Sequence, residues 1–274
     1  MGKIGKEEEK YASLESQLGN ACCMTEDTEE MFWLRESDDY SSRVRLGNLL
    51  AAQYRFREAV EIYRTAEKIR WDDPMLYIRL GGALLTLRRF DEAKEAYKRS
   101  FDTGIKEKTA AYPMGVWHYL RGEYAQAASW FGKCLPCKDE MAAAVFYWYI
   151  LSCCRGNLPD DLMKNYHSDI QAGHHTAYKM VIEMFCGNVE MQEAEDAAEN
   201  TDNALDAVVI WYGVLVYMES RGYRIETAAV MDKILKRNSV WPCISYLAAW
   251  NDKNSEKSYR KTSPPVVCEM RRLR

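Results

Sequence analysis

The sequence has 274 residues, of which 47% are hydrophobic and 28% charged, so it is long enough for one large core or an elongated array. Its net charge of −4 argues against a surface built throughout for nucleic acid, and the first ten residues lack the apolar run of a secretory signal. The longest apolar run, residues 141–151, is too short to cross a bilayer, so no membrane partner is expected. The nine cysteines do not belong to a small secreted framework, which favours a cytoplasmic protein with free thiols.

Charge is concentrated at the two ends of the chain. Residues 1–39 carry a net charge of −7, and residues 253–274 carry a net charge of +5. Within the acidic segment, Tyr11, Leu14 and Leu18 form a short helical stripe. We therefore expect an acidic N-terminal segment with a short helix, and a flexible basic tail at the other end.

The segment from residue 46 to residue 74 is repeated 34 positions later, and a third copy follows at the same offset. Five columns keep their residue type: Leu46-Gly47, Leu80-Gly81 and Met114-Gly115; Phe56, Phe90 and Tyr124; Ala59, Ala93 and Ala127; Tyr63, Tyr97 and Phe131; Ala66, Ser100 and Cys134. Such self-similarity indicates an array of small structural units.

Each copy is interpreted as two antiparallel helices, A and B. In the first copy helix A is predicted at about residues 41–53 and helix B at about residues 57–69. Apolar residues of helix B recur at a spacing of three or four, and its other face is charged. The small Gly47 and Ala59 let the two helices approach closely, with Tyr63 filling the space alongside. Because one pair cannot bury its apolar stripe alone, neighbouring pairs are expected to stack.

The second half of the sequence keeps the repeat only weakly. In a fourth copy Tyr149 replaces the small Gly and Asp161 replaces the Ala, so its two helices are expected to lie further apart or to be rotated. Gly187-Asn188 indicates a shortened fifth pair, and Gly213 takes the Gly place of a sixth. The sixth pair and a terminal helix are predicted at residues 204–220, 225–238 and 241–250.

The order of Leu-Gly, aromatic, Ala, aromatic and small residues resembles the tetratricopeptide repeat over residues 40–141. Where the family places a Trp in helix A, this sequence has Arg43, Tyr77 and Ala111. The resemblance implies an all-α fold, a right-handed α-solenoid of antiparallel helix pairs. Three repeats occupy residues 40–141 in this interpretation, and degenerate helix pairs with a terminal helix occupy residues 142–252.

The resemblance also implies a non-enzymatic scaffold or adaptor, which holds a protein or peptide partner in the concave groove lined by the A helices. Residues at the groove-facing places of the family become more apolar along this chain, which favours an apolar or amphipathic peptide. The predicted groove residues are Asn48, Ile78, Arg79, Tyr112, Val116, Tyr119, Phe146 and Ile150.

The charged residues of this face have two interpretations. Arg45 and Arg79 lie 34 positions apart and either orient a carboxylate of the partner or are solvated arginines on the helix surface. Only Asn48 matches the residues with which some tetratricopeptide proteins grip an acidic C-terminal tail, so a chaperone-tail clamp is not expected. Residues 7–24 are an alternative occupant of the groove.

Two other functions stay open on the sequence. The C-terminal half contains Trp148, Trp211, Trp241 and Trp250, which could form the contact surface of a homo-oligomer or of a larger assembly. The basic tail is a weaker candidate for binding nucleic acid or an acidic protein.

Cysteines and histidines of the second half are the candidate ligands or catalysts of this sequence. Cys134, Cys137 and Cys153-Cys154 could supply four thiolates to zinc, but their positions in the repeat favour small buried side chains. His174-His175 would diverge on a helix. No phosphate-binding loop, paired-carboxylate motif or catalytic set appears, so no enzyme activity, cofactor or metal is expected.

Overall fold

The computed structural model describes residues 26–135, 137, 140–223 and 226–259. The α-helices in these residues are α1 (Glu29–Glu36), α2 (Tyr40–Ala52), α3 (Phe56–Ile69), α4 (Pro74–Thr86), α5 (Phe90–Asp102), α6 (Glu107–Leu120), α7 (Tyr124–Cys134), α8 (Met141–Gly156), α9 (Thr176–Cys186), α10 (Met191–Asn200), α11 (Ala204–Ser220), α12 (Glu226–Leu235) and α13 (Ile244–Tyr259). Two short 3₁₀ helices, Asp161–Asn165 and Asn238–Val240, complete the regular structure, and the described residues contain no strand. The all-α prediction is therefore confirmed.

The chain divides into two compact units at Pro113 and Met114, inside α6. The first unit contains α1 to α5 and the beginning of α6, and the second contains the remainder of α6 and α7 to α13. No helix in the described ranges is both long enough and apolar enough to span a bilayer.

The first two helix pairs begin at capping residues that the sequence supplies. The side chain of Asp39 accepts a hydrogen bond from the Ser42 amide at the start of α2. Asp73 does the same for the Met75 amide at the start of α4, where Pro74 occupies the first turn. The observed limits of α2 and α3 lie within one residue of those predicted.

A residue in the left-handed backbone conformation follows helix A in each of the first three pairs. Tyr54 and Arg88 both have a φ of 63°, and Gly122, in the same column of the repeat, has a φ of 75°. Residues other than Gly adopt this backbone conformation only at a cost in free energy. The packing of the two helices, and not the turn residue alone, therefore sets the reversal of the chain.

The Gly of helix A faces an aromatic ring of helix B in each of these pairs. A Cβ atom on Gly81 would lie 2.5 Å from Cε1 of Tyr97, which is closer than real Cβ atoms approach a ring. The same contact joins Gly47 to Tyr63 and Gly115 to Phe131. The prediction that this column sets the close approach of the two helices is therefore confirmed.

Helices α8 and α11 form the centre of the second unit, and most of their residues are buried. Trp148, Trp211 and Trp241 are at most 1% exposed, and Trp250 is half-buried. The predicted oligomerisation surface is therefore wrong for three of its four tryptophans, because these large apolar rings are already buried within one chain.

The chain departs most from the predicted repeat between α8 and α9. A second helix was expected for the fourth copy, but only the 3₁₀ helix Asp161–Asn165 forms there. Pro159 disfavours a helical conformation at Leu158, and Asp161 interrupts the apolar stripe that a packed helix would need.

The fifth and sixth pairs form, but the sixth has a different register from the predicted one. Helix α9 ends at Gly187, which has a left-handed φ of 79°, and α10 follows. In the sixth pair a Cβ atom on Gly213 of α11 would come within 3.0 Å of Val181 of α9, not of a residue of α12. The close approach at Gly213 thus joins two A helices.

The ends of the chain were only partly predictable. Residues 7–24, which contain the predicted N-terminal helix and are the alternative occupant of the groove, lie outside the described residues. Helix α13 begins after Pro242 and continues to Tyr259, so residues 253–259 are helical instead of beginning a tail. The rest of the basic tail, like the N-terminal segment, lies outside the described residues.

Candidate peptide-binding site

The A helices of the first unit, α2 and α4, leave three of the predicted groove residues accessible. Asn48 of α2 is exposed, and Ile78 and Arg79 of α4 are half-buried. Because α2 and α4 are neighbours in the first unit, these side chains belong to one surface, which we call the α2–α4 face.

Tyr63 of α3 supports Asn48 from below the α2–α4 face. The buried Tyr63 hydroxyl donates a hydrogen bond of 2.8 Å to Oδ1 of Asn48. Burial raises the pKa of Tyr63 to about 12, and the positive charge of Arg79 acts in the opposite direction. With its Oδ1 engaged, Asn48 has its two amide N–H donors left for another partner.

Arg79 and Arg45 occupy equivalent places in the repeat but have different surroundings. Arg45 forms an ion pair with Glu30 of α1. Arg79 is half-buried, and within the described ranges no carboxylate forms an ion pair with it. A guanidinium in this position is only partly hydrated, so a carboxylate or a pair of carbonyl groups from a ligand would satisfy its donors.

Apolar side chains and open space flank these donors. Val44 of α2 and Met75 and Ile78 of α4 are each half-buried. Gly82, one helical turn beyond Ile78, has so much space in front of it that a Cβ atom would meet no other atom within 4 Å. The α2–α4 face therefore offers room, apolar contact area and hydrogen-bond donors together.

The predicted groove residues of the second unit are covered by the chain itself. Val116, Tyr119, Phe146 and Ile150 are at most 4% exposed. The ring of Tyr119 packs 4.8 Å from that of Trp148, and its hydroxyl lies 3.0 Å from the Tyr212 hydroxyl. The prediction that these four line an accessible groove is wrong, because helices later in the chain pack on them. Tyr112, the remaining predicted residue, is half-buried.

Sequence reasoning missed a polar cluster in the second unit. Arg155 of α8 forms ion pairs with Asp252 of α13 at 2.8 Å and with Glu219 of α11 at 3.0 Å. The three residues belong to different helices and share no periodic spacing. A charged residue at the end of an apolar helix is too common to reveal such a cluster.

Glu183 of α9 holds the irregular segment that replaces a helix in the fourth copy. Its carboxylate accepts hydrogen bonds from Asn188 at 2.6 Å, Tyr166 at 2.7 Å and Ser168 at 3.0 Å. Burial alone would raise the pKa of Glu183, but these hydrogen bonds bring the pKa below its usual value. All three donors belong to the same unit, so this carboxylate is part of the fold.

The cysteines and histidines considered as ligands are not assembled into a metal site. Among the residues that the structure describes, no three His, Cys, Asp or Glu side chains are arranged to hold a metal ion. Cys134 and Cys153 are buried, and Cys137 and Cys154 are half-buried. His174 lies 3.0 Å from a carboxylate oxygen of Glu140.

The helix pair α4–α5 coincides with a match to a known protein family. The family model described as tetratricopeptide repeat matches residues 76–102, a segment that begins within α4 and ends with α5. Among solved structures the chain is similar to YrrB, described as a TPR protein with an unusual peptide-binding site. The two are 13% identical with a TM-score of 0.41, and the match covers 83% of this chain and 98% of that one. No curated protein matches the sequence significantly.

The match falls on the residues that carried the resemblance. It includes the Leu80-Gly81 dipeptide, Ala93, Tyr97 and Ser100, and it also includes Ile78 and Arg79 of the α2–α4 face. The same columns form the pairs α2–α3 and α6–α7, where the Gly-to-aromatic contact recurs. The helix pair formed by α4 and α5 is therefore similar to a tetratricopeptide repeat over residues 76–102.

Proposed function

We propose that the chain is a protein-interaction scaffold that binds a peptide segment on the α2–α4 face. Repeats of this type occur in interaction scaffolds, but a fold alone does not determine a function, so the proposal rests on the side chains. In the proposed complex Arg79 and Asn48 donate hydrogen bonds to the ligand, and Ile78 contacts one of its apolar side chains. The ligand is an amphipathic segment with a carboxylate or exposed carbonyl groups beside an apolar residue.

The observation that carries the proposal is the surroundings of Arg79. Other arginines of the first unit form ion pairs with Asp or Glu: Arg35, Arg43, Arg45, Arg55, Arg64, Arg70, Arg89 and Arg99. Arg79 is half-buried and has no such partner among the described residues. The N–H donors of such a guanidinium are available to a hydrogen-bond acceptor of a ligand.

The expected contributions are those of individual hydrogen bonds. A bond between the Arg79 guanidinium and a ligand carboxylate is worth about 1.5–3 kcal/mol, and a bond from Asn48 to a carbonyl is worth about 1 kcal/mol. Loss of Arg79 should therefore weaken binding by about tenfold to a hundredfold, and loss of Asn48 by about fivefold.

Selection of random short peptides displayed on phage, with the wild-type chain as target, supplies the ligand for a test. We expect the selected peptides to combine an acidic residue or a free C-terminal carboxylate with an apolar residue. Their affinity, measured by fluorescence anisotropy, should fall as stated above for Arg79→Ala and Asn48→Ala. Circular dichroism should show that both variants keep their helices, since neither substitution alters a buried apolar side chain.

Arg45→Ala is the matched control, because Arg45 holds the equivalent place in the preceding repeat and is already paired with Glu30. Its loss should change the affinity by less than about twofold. Peptides that bind the wild-type chain and the Arg79→Ala variant equally would contradict the proposal, and so would equal losses for the two arginines.

A further inference from the structure

The described chain begins beside the α2–α4 face. Glu30 of α1 forms an ion pair with Arg45 of α2, and Arg45 is a surface neighbour of Asn48, three positions further on. Asp27, which precedes α1, forms an ion pair with Arg55 just after the end of α2. The chain therefore enters the first unit next to this face, at the C-terminal end of α2.

The residues that precede this point have the chemistry of a ligand for the α2–α4 face. Residues 7–18 contain four glutamates and one lysine, so their net charge is −3. Their apolar stripe includes Leu14 and Leu18, and Glu15 lies between these two in the sequence. A carboxylate beside apolar side chains is what the donors and apolar residues of the face would recognise.

The connection is long enough for residues 7–18 to reach Arg79. Seven residues, 19–25, separate this segment from the first described residue, and an extended chain of that length spans about 25 Å. Helix α1 packs on α2, and α2 packs on α4. Because packed helices lie about 8–10 Å apart, the path from α1 to α4 is about 20 Å.

A second apolar surface lies close to the same entry point. Phe32 and Trp33 of α1 are 57% and 63% exposed. The carboxylates of Glu29 and Glu36 are exposed on the same helix, so a segment with a net negative charge is repelled there. Arg79, in contrast, has no carboxylate partner among the described residues. Charge therefore favours the α2–α4 face over the surface of α1.

We propose that residues 7–18 occupy the α2–α4 face of their own chain and must be displaced before a partner peptide binds. Glu15 accepts hydrogen bonds from Arg79, and Leu14 and Leu18 contact the apolar residues beside it. This occupancy regulates the peptide binding proposed above and rests on that function. A tethered ligand at about 1 mM, with a dissociation constant of about 0.1 mM on its own, weakens the binding of a partner about tenfold.

A photoreactive residue in the full chain tests the position of the segment. With p-benzoylphenylalanine in place of Tyr11, irradiation should give cross-links within one chain to residues of α2 or α4, which mass spectrometry identifies. Glu15→Arg should lower the yield about tenfold, because it removes the ion pair with Arg79. Glu15→Arg combined with Arg79→Glu should restore the yield, because the same pair is then formed with its charges exchanged.

Glu9→Arg is the matched control for this experiment. It makes the same change of charge, but on a helix Glu9 lies opposite the stripe of Tyr11, Leu14 and Leu18. Its yield should stay within about twofold of that of the wild-type segment. Cross-links to Phe32, or cross-links found only between two chains, would overturn the proposal.

Competition provides the second readout. A phage-selected peptide should bind the full chain carrying both Leu14→Ser and Leu18→Ser about tenfold more tightly than it binds the wild-type chain. Equal affinities, for a peptide whose binding requires Arg79, would overturn the intramolecular occupancy and leave the proposed function standing. Because the cross-links need no external peptide, they test the position of residues 7–18 even if no peptide binds.

Discussion

Two adjacent glycines of α4 should respond to the same substitution with opposite signs. Gly81 and Gly82 both lie inside the helix, where replacement of Gly by Ala raises helix propensity and reduces the freedom of the unfolded chain. At Gly82 nothing opposes this gain, because an added Cβ would meet no atom within 4 Å. Gly82→Ala should therefore increase the free energy of unfolding by about 0.5–1 kcal/mol.

At Gly81 the same gain is outweighed by overpacking. The added Cβ would lie 2.5 Å from Cε1 and 2.7 Å from Cδ1 of Tyr97, whereas carbon atoms in contact are about 3.5–4 Å apart. Tyr97 is only 1% exposed, so its ring must displace its neighbours or α4 must move away from α5. Overpacking of this kind costs about 1–3 kcal/mol, and Gly81→Leu should lie at the upper end of that range.

Because both alanine variants share the same gain, their free energies of unfolding should differ by the overpacking cost of about 1–3 kcal/mol, which a urea titration followed by circular dichroism can resolve. Lys94→Ala, on the exposed face of α5, provides the baseline and should change the free energy by less than about 0.5 kcal/mol. If Gly81→Ala raised the midpoint as Gly82→Ala does, the Gly-to-aromatic contact would not set the helix approach, and the assignment of the repeat register would be refuted.

Three further outcomes test other parts of the molecule. Glu183→Gln leaves one carbonyl oxygen for three donors, so it should lower the free energy of unfolding of the second unit by about 1–3 kcal/mol. It should also speed amide hydrogen exchange over residues 161–168. Unchanged exchange there would show that the carboxylate does not hold this segment. Hydrogen bonds from Arg35 and Arg55 lower the pKa of Asp27 from 3.8 to about 2, so its stabilising contribution is complete above about pH 5 and is lost as the pH falls toward 2. Thermal melts across this range should show the loss in the wild-type chain and much less of it in Arg35→Ala. Zinc or a chelator should leave the melting temperature unchanged, and a large shift would reveal a metal site at Cys134 and its neighbouring cysteines.

The helix pairs of the first three copies were predictable because their determinants are local. Gly81 and Tyr97 are separated by one turn and parts of two helices, and the repetition of this spacing identifies both helices and their contact. The fourth copy was predicted less well. A substitution such as Asp161 shows that the stripe is broken, but it does not show whether the chain keeps a shifted helix or abandons it.

Part of the candidate site could also be predicted from the repeat. Asn48, Ile78 and Arg79 were predicted from their places in helix A, and the structure leaves them accessible. The difference between Arg45 and Arg79 could not be predicted, since it depends on Glu30 of α1, which lies outside the repeat. Equivalent positions in two repeats thus acquire different properties from the elements that pack beside them.

The sequence by itself determined the all-α fold, the 34-residue period and the Gly-to-aromatic contacts, because each follows from residues that are close along the chain. Only the tertiary structure decided that Tyr119 and Phe146 are core residues and that Asn251 and Asp252 of α13 lie beside Leu120 and Arg155. The physical reason is that burial is a property of the assembled unit. The pattern of a helix shows which face is apolar, but whether a partner molecule or a later helix of the same chain covers that face depends on long-range packing that no local spacing records.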